Sequence, residues 1–110
     1  MKRLWIVAVA IALVLPLTAL VAAAGDAAAG KTLYTSKCAT CHGAAGEGKE
    51  AIAKMFKVQL KNLGSKEVQA KSDADLRKGI TEGQGKMKPV KLTDKEAADV
   101  IAFIRSLAKK

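Results

Sequence analysis

The clearest periodic pattern lies near the end of the chain, where five apolar residues recur at helical spacing. They follow Thr93-Asp94-Lys95-Glu96, a capping box in which the Thr93 hydroxyl accepts a hydrogen bond from the Glu96 amide and the Glu96 carboxylate accepts one in return. The spacing predicts an amphipathic helix with one apolar stripe. Its members are Ala97, Val100, Ile101, Ile104 and Leu107.

Weaker patterns upstream also predict helices and loops. Asp26 to Lys37 has an apolar face, and Ser72-Asp73-Ala74-Asp75 resembles an N-cap before a helix that carries Leu76 and Ile80 and ends at a glycine. Residues 50–63 have apolar positions of mixed period, which leaves helix or loop open. Because no convincing strand is present, the pattern predicts an all-α fold. Loops are marked by Gly43, Gly46, Gly48, Gly83 and Gly85.

The first 24 residues have the organisation of an export signal. A basic start, Lys2-Arg3, precedes an apolar run from Leu4 to Val21, and Ala22-Ala23-Ala24 offers a cleavage site. We interpret residues 1–24 as a signal peptide and residues 25–110 as one domain. An uncleaved membrane anchor is the alternative, since about 18 apolar residues can span a bilayer. Both interpretations place the domain outside the cytoplasm, in the periplasm or an equivalent compartment.

Both cysteines and the only histidine of the 110 residues lie in one stretch, Cys38-Ala39-Thr40-Cys41-His42. The pattern C-x-x-C-H is the attachment signature of c-type haem. Two thiols three positions apart can each add to one vinyl group of the same porphyrin, which gives two thioether bonds. His42 follows directly and can offer an imidazole nitrogen to the iron as the proximal ligand. The motif therefore predicts one covalently bound haem c with its iron.

Three other interpretations of the motif involve no haem. A Cys38–Cys41 disulfide is compatible with an exported chain. A thioredoxin-like redox pair requires a βαβ pattern, and the sequence shows no convincing strand. A structural zinc site usually takes four Cys or His ligands, whereas this chain has only the three residues of the motif.

Composition and charge reduce the number of possible functions and partners further. Tyr34, Phe56 and Phe103 are the only aromatic residues after residue 24, so a buried porphyrin would supply apolar surface that the domain lacks. The formal net charge is +9, and removing Lys2 and Arg3 leaves +7. No basic block or interleaved aromatic pair favours nucleic acid as a partner. The lysines fit either a solvated surface or attraction to an acidic partner.

Four segments after residue 24 share features with a known family. Gly30-Lys31-Thr32-Leu33-Tyr34 places a glycine four residues before an aromatic, and Cys38 to His42 is the haem motif. Gly85-Lys86-Met87 is a glycine-led loop, and Val100 to Arg105 contains Phe103 in the last predicted helix. These segments are similar to the first helix, the attachment site, the second-ligand loop and the final helix of small bacterial monohaem class I cytochromes c. The resemblance spans residues 27 to 108 and implies the cytochrome c fold, a few helices wrapped round one haem.

The chain departs from the family pattern at two points near the iron ligands. Lys88 stands between Met87 and Pro89, where the family commonly has proline directly after the methionine. The chain also lacks the proline that often follows the histidine and whose carbonyl accepts the imidazole N–H. We therefore expect the second ring nitrogen of His42 to bond a backbone carbonyl between Ala51 and Val58.

The sixth iron ligand has four candidates: Met55, Met87, a lysine or water. Met87 lies in a glycine-flanked loop just before a capped helix, from which a side chain can reach back over the porphyrin. Met55 lies in an apolar stretch, where methionine more often fills gaps in packing. The resemblance favours Met87 as the distal ligand. A thioether favours reduced iron, which suits an electron carrier.

The sequence thus predicts an exported single-haem electron carrier and not an enzyme, because two protein ligands leave no open iron site. One alternative is an open-site haem enzyme or gas sensor, in which Met87 does not bind iron. Another is a membrane-tethered haem domain of a fixed redox complex, in which residues 1–24 are retained. In the resembling family the haem edge lies near the attachment cysteines and the methionine loop, so the resemblance implies a basic ring that meets an acidic redox partner. Its members would be Lys37, Lys86, Lys88 and Lys91.

Overall fold

The computed structural model of the chain describes residues 25–109 and Ala12. The predicted signal peptide or anchor, residues 1–24, lies outside the described residues except for Ala12. Within the described part, none of the helices has the length and apolar content that a bilayer span requires. That part contains six helices and one isolated β-bridge, which confirms the all-α prediction. The helices are α1 (Ala27–Lys37), α2 (Ala39–His42), α3 (Glu50–Phe56), α4 (Lys66–Gln69), α5 (Asp73–Glu82) and α6 (Asp94–Ser106).

Helices α1 and α6 cross at close range and form the centre of the domain. A Cβ on Gly30 would overlap the carbonyl oxygen of Asp99, so only glycine lets the two backbones approach this closely. One turn further on, the rings of Tyr34 and Phe103 pack with centroids 4.9 Å apart and planes tilted by 51°. The crossing matches the resemblance of these two segments to the first and last helices of class I cytochromes c.

Side-chain caps set where three of the helices begin. The Asp26 carboxylate accepts from the Ala28 amide at 2.9 Å and starts α1, and the Ser72 hydroxyl accepts from the Asp75 amide at 3.1 Å and starts α5. The capping box of α6 is present, with the Thr93 amide donating to the Glu96 carboxylate at 3.0 Å. All three predicted starts are therefore confirmed to within one residue.

The apolar stripe of α6 packs on α5 to form what we call the core cluster, which comprises Ile80, Val100, Ile101 and Ile104. Six apolar side chains from other elements pack against this cluster and keep part of their surface exposed. They come from α1, from the segment after α3, from α5 and from the loop that joins α5 to α6. These residues are Leu33, Leu63, Leu76, Met87, Val90 and Leu92.

Residues 50–63, for which the sequence left helix or loop open, contain both. Helix α3 ends at Phe56 because Lys57 adopts the left-handed conformation, with φ of 54°. The extended segment that follows leads to α4, a single turn that the sequence pattern did not predict. Two side chains hold this region to the rest of the domain: Gln69 Nε2 donates to the Ile104 carbonyl at 2.9 Å, and Arg105 Nη2 donates to the Lys71 carbonyl at 2.6 Å.

Candidate haem-binding site

The haem motif folds as one turn of helix, α2, that follows directly on α1. The Cys38 amide caps α1 by donating to the Tyr34 carbonyl at 2.8 Å, and the His42 amide donates to the Cys38 carbonyl at 3.0 Å. Residues three apart in a helix lie on the same face. The turn therefore brings Cys38, Cys41 and His42 together, as two thiols bound to one porphyrin require.

Both thiols are free and half-buried, which bears on the interpretations without haem. The absence of a Cys38–Cys41 bond removes the disulfide from this structure. Burial raises the pKa of the Cys38 thiol, with Lys37 lowering it by a smaller amount and Cys41 raising it. A redox-active pair needs a thiolate of depressed pKa, so the environment of Cys38 does not favour that chemistry. Among residues 25–109, no group of three His, Cys, Asp or Glu side chains has an arrangement that would hold a metal ion.

The His42 imidazole is half-buried, and burial lowers its pKa. The neutral ring is the form that binds a metal ion. Its Nδ1 atom is fully buried and has no hydrogen-bond partner among the residues that the structure describes. A buried polar atom without a partner costs about 1–3 kcal/mol. An imidazole held neutral beside two free thiols, with a nitrogen that the protein leaves unpaired, fits the donor set of a c-type haem.

The expected bond from His42 to a carbonyl between Ala51 and Val58 is not formed, so that prediction is wrong for this structure. The loop after the motif folds back on α2 instead of bringing α3 to the ring. The amide of Gly48 donates to the His42 carbonyl at 2.7 Å, and the amide of Lys49 donates to the Cys41 carbonyl at 3.0 Å. These bonds hold the backbone of the motif and leave the imidazole free.

Tyr34 anchors the same loop from α1. Its buried hydroxyl donates to the Gly43 carbonyl at 2.6 Å, and Gly43 ends α2 with a φ of 82°. Burial, with smaller contributions from Cys38 and Glu47, raises the pKa of Tyr34 to about 12. Tyr34 is therefore a neutral hydrogen-bond donor at every physiological pH. The sequence gave no sign of this bond.

The two methionines of the described residues occupy different environments. Met87 lies in what we call the methionine loop, residues 83–92, and its half-buried side chain packs against the core cluster. Met55 lies on α3 with 64% of its surface exposed, which is not the packing role expected for it. Leu33, on the helix that leads into the motif, packs against the same cluster as Met87. The cluster is thus the structural link between the motif and the methionine loop.

The methionine loop keeps a defined shape although Lys88 separates Met87 from Pro89. Gln84 and Met87 exchange backbone hydrogen bonds of 3.1 and 2.9 Å across a tight turn. Beyond the turn, the Val90 amide donates to the Ile80 carbonyl at 2.8 Å and fastens the loop to α5. Lys88 therefore lies between the Gln84–Met87 turn and the Val90–Ile80 bond, so backbone hydrogen bonds hold the loop on both sides of it.

Comparisons with known proteins agree on one family. A model of the cytochrome c family matches residues 27–108. Cytochrome c-554(547) from Halothiobacillus neapolitanus is 56% identical over 32 residues, which cover 29% of this chain and only 35% of that relative. The solved structure of KustC0563 c-type cytochrome aligns with a TM-score of 0.63 at 30% identity and covers 73% of this chain and 98% of that chain. The family match extends from α1 past α6 and includes the attachment motif, so the chain belongs to the cytochrome c family of haem-containing electron-transfer proteins.

Proposed function

We propose that the domain is an exported electron carrier with a single haem c, attached through Cys38 and Cys41 and ligated by His42 and Met87. The environment of Met87 carries the proposal. Of the two methionines in the described part of the chain, Met87 is the one that packs on the core cluster in a closed turn, whereas Met55 points largely into solvent. A ligand needs a fixed position, and the packing of Met87 provides one.

The protein side chains set the properties of the site. A bound haem supplies reversible one-electron chemistry at its iron. Burial keeps the His42 imidazole neutral and available as a ligand. As an iron ligand, the Met87 thioether would favour reduced iron and raise the reduction potential. With His42 and Met87 both holding the iron, no iron site would remain for a substrate.

The ligand assignment is tested by the optical spectrum of the oxidised holoprotein. A weak band near the red end of the visible spectrum reports an iron–thioether bond. We expect Met87→Ala to abolish this band and Met55→Ala to leave it unchanged. Loss of the band in the Met55 variant would transfer the ligand role to Met55.

The same measurement separates the carrier from an open-site enzyme or gas sensor. A carrier with two side-chain ligands binds added imidazole weakly, because imidazole must displace Met87. An open site binds imidazole tightly in the unmodified protein and shows no sulfur band. We expect the first result for the wild-type chain and the second for Met87→Ala.

We propose export because residues 1–24 have the organisation of a signal peptide. The test is expression of the full chain in a bacterium that attaches haem c, followed by fractionation and mass measurement. We expect a periplasmic protein that begins at Gly25. Recovery in the membrane fraction with residues 1–24 intact would favour the tethered haem domain instead.

We further propose that an acidic surface of the redox partner docks on a basic ring around the haem edge, formed by lysines that flank the attachment motif and the methionine loop. Lys37, Lys88 and Lys91 are exposed and make no side-chain hydrogen bond or ion pair among the described residues. Lys86 is also exposed, but its ammonium already donates to a backbone carbonyl of the chain. Charges of this kind raise the encounter rate more than the lifetime of a complex, and salt screens them over about 10 Å at 0.1 M.

The docking proposal predicts a salt-dependent rate of electron transfer with small charged reagents. Oxidation by ferricyanide, an anion, should slow as ionic strength rises, whereas reduction by hexaammineruthenium, a cation, should accelerate. Lys88→Glu with Lys91→Glu should slow the ferricyanide reaction more than Lys66→Glu with Lys109→Glu, which changes the net charge equally near Gly64. Equal slowing by both pairs would show that net charge, not this surface, controls the rate.

A further inference from the structure

The side chain of Lys86 connects two segments that are distant in sequence. Its Nζ atom donates to the carbonyl oxygen of Phe56 at 2.7 Å, across 30 residues. Phe56 is the last residue of α3, and Lys86 directly precedes Met87. Among residues 25–109, no other hydrogen bond joins α3 to the methionine loop. We call this contact the Lys86–Phe56 latch.

The end of α3 presents a carbonyl that suits a cationic donor. The last carbonyls of a helix have no intrahelical partner and carry the negative end of the helix dipole. At α3 the amides beyond the helix turn back to earlier carbonyls, with Val58 donating to Ala53 at 3.0 Å and Lys57 donating to Lys54 at 3.2 Å. The backbone therefore leaves the Phe56 oxygen to the Lys86 ammonium.

The latch affects Met87 because Lys86 and Met87 belong to the same hydrogen-bonded turn. The backbone bonds between Gln84 and Met87 fix the positions of Gly85 and Lys86 at its tip. Lys86 holds the tip from one side, and the Met87 side chain holds its base against the core cluster. Helix α3 contributes little apolar packing of its own, since Met55 is 64% and Phe56 43% exposed. Within the described part of the chain, the latch is the hydrogen bond that joins the loop to α3.

We propose that Lys86 is a positioning residue that keeps the methionine loop closed and so keeps Met87 in place as the distal ligand. The inference rests on the proposed function, because it requires Met87 to bind iron. Loss of the latch should increase the fraction of time that the loop is open, without removing the ligand itself.

The test is the affinity of the oxidised holoprotein for imidazole, which must displace Met87 to bind. We expect Lys86→Ala to bind imidazole about two- to tenfold more tightly than the wild type, the range for one exposed hydrogen bond. Lys88→Ala is the matched control, since Lys88 lies in the same loop and its side chain makes no hydrogen bond among the described residues. Lys86→Arg keeps a donor and should lie closer to the wild type than Lys86→Ala does.

Urea unfolding of the same variants separates an effect on the loop from a general loss of stability. We expect Lys86→Ala to lose no more free energy of unfolding, relative to Lys88→Ala, than corresponds to its gain in imidazole affinity, because loss of the latch destabilises the closed state equally relative to the open and the unfolded states. A larger loss would show a general loss of stability and would overturn the latch. Equal imidazole affinities for these two variants, or no recovery in Lys86→Arg, would overturn the latch. If the wild type shows no iron–thioether band, or if Met87→Ala retains it, the proposed ligation itself fails, and this result is distinct from a failed latch.

Discussion

A single buried carboxylate, Asp99, joins the two central helices. The residue is only 4% exposed, although it is charged and does not belong to the apolar stripe of α6. One of its oxygens accepts from the Asp26 amide at 2.8 Å, and the other accepts from the Lys95 ammonium at 2.8 Å. The Lys95 bond and then the Asp26 amide hold the pKa of Asp99 below its ordinary value. Asp99 therefore binds the start of α1 to the side of α6 as long as it is ionised.

The depressed pKa of Asp99 predicts an acid-dependent stability. A carboxylate with a lower pKa in the folded state stabilises the fold above its unfolded pKa of about 3.9, and this contribution disappears as pH falls through the folded pKa. Asp99→Asn should lower the free energy of unfolding at about pH 7, and the gap to wild type should narrow towards about pH 3. Urea unfolding at both pH values measures the gap. Glu82→Gln is the charge-matched control, and a gap that stays constant with pH would contradict the role of ionised Asp99.

The sequence predicted the positions of some site residues better than those of others. Cys38, Cys41 and His42 adjoin in the chain, so a helical turn was enough to bring them together. The environment of the His42 Nδ1 atom depends on which distant segment reaches it, and the sequence led to a wrong prediction there. The sequence shows Asp99 and Lys95 as an i, i+4 pair. The burial of Asp99, however, follows from the crossing of α1 over α6, which no local sequence pattern predicts.

At the scale of elements, the domain depends on how closely α1 and α6 approach. Gly30 lies where the two backbones meet, and any side chain there would displace one helix. Gly79 is also a helical glycine, on α5, but a Cβ there would meet only the flexible end of Gln84, at 3.1 Å. The two glycines therefore have different structural roles. Alanine at each position should change the free energy of unfolding in opposite directions.

Gly30→Ala should destabilise the domain by about 1–3 kcal/mol, the usual cost of overpacking. Gly79→Ala should be neutral or stabilising by about 0.5–1 kcal/mol, because alanine loses less conformational freedom in a helix than glycine. Urea unfolding of the two variants provides the comparison. A Gly30→Ala variant as stable as the wild type would show that the close approach of α1 and α6 does not depend on Gly30.

The sequence predicted the longer helices that carry their own start signals. Asp26, Ser72 and Thr93 are local caps, and each begins a helix at the expected place. Helices α2 and α4 have four residues each, too few to show an apolar period. The end of α3 was also not predictable, because it depends on Lys57 adopting a left-handed conformation that glycine adopts more readily.

At the scale of the whole domain, the described apolar core is small. Eight hydrophobic residues of the described part are buried, and only Tyr34 and Val100 are large and fully enclosed. A domain of this size usually needs a cofactor or crosslink to remain folded. Six further apolar side chains around the core cluster remain partly exposed.

Removing both attachment thiols should therefore unfold the domain as well as release the cofactor. In the wild type we expect haem to stay with the polypeptide in acidified organic solvent. Cys38→Ala with Cys41→Ala should release haem and leave a chain with reduced helical circular dichroism and no cooperative thermal transition. Thr40→Ala, between the cysteines, is the control that retains attachment. A haem-free double variant with a wild-type transition would show that the protein core is sufficient alone.

The contact between α1 and α6 also sets the order in which the domain can assemble. The Asp26 amide and the Asp99 carboxylate are 73 residues apart, so their contact closes almost the whole domain into one loop. Contacts between such distant residues form late, because the entropy of loop closure must be overcome first. On a chain exported from its N-terminus, as we propose, α1 lacks its main packing surface until α6 has crossed the membrane. Until then the thiols of Cys38 and Cys41 would remain accessible, and covalent attachment would precede the closing of the fold.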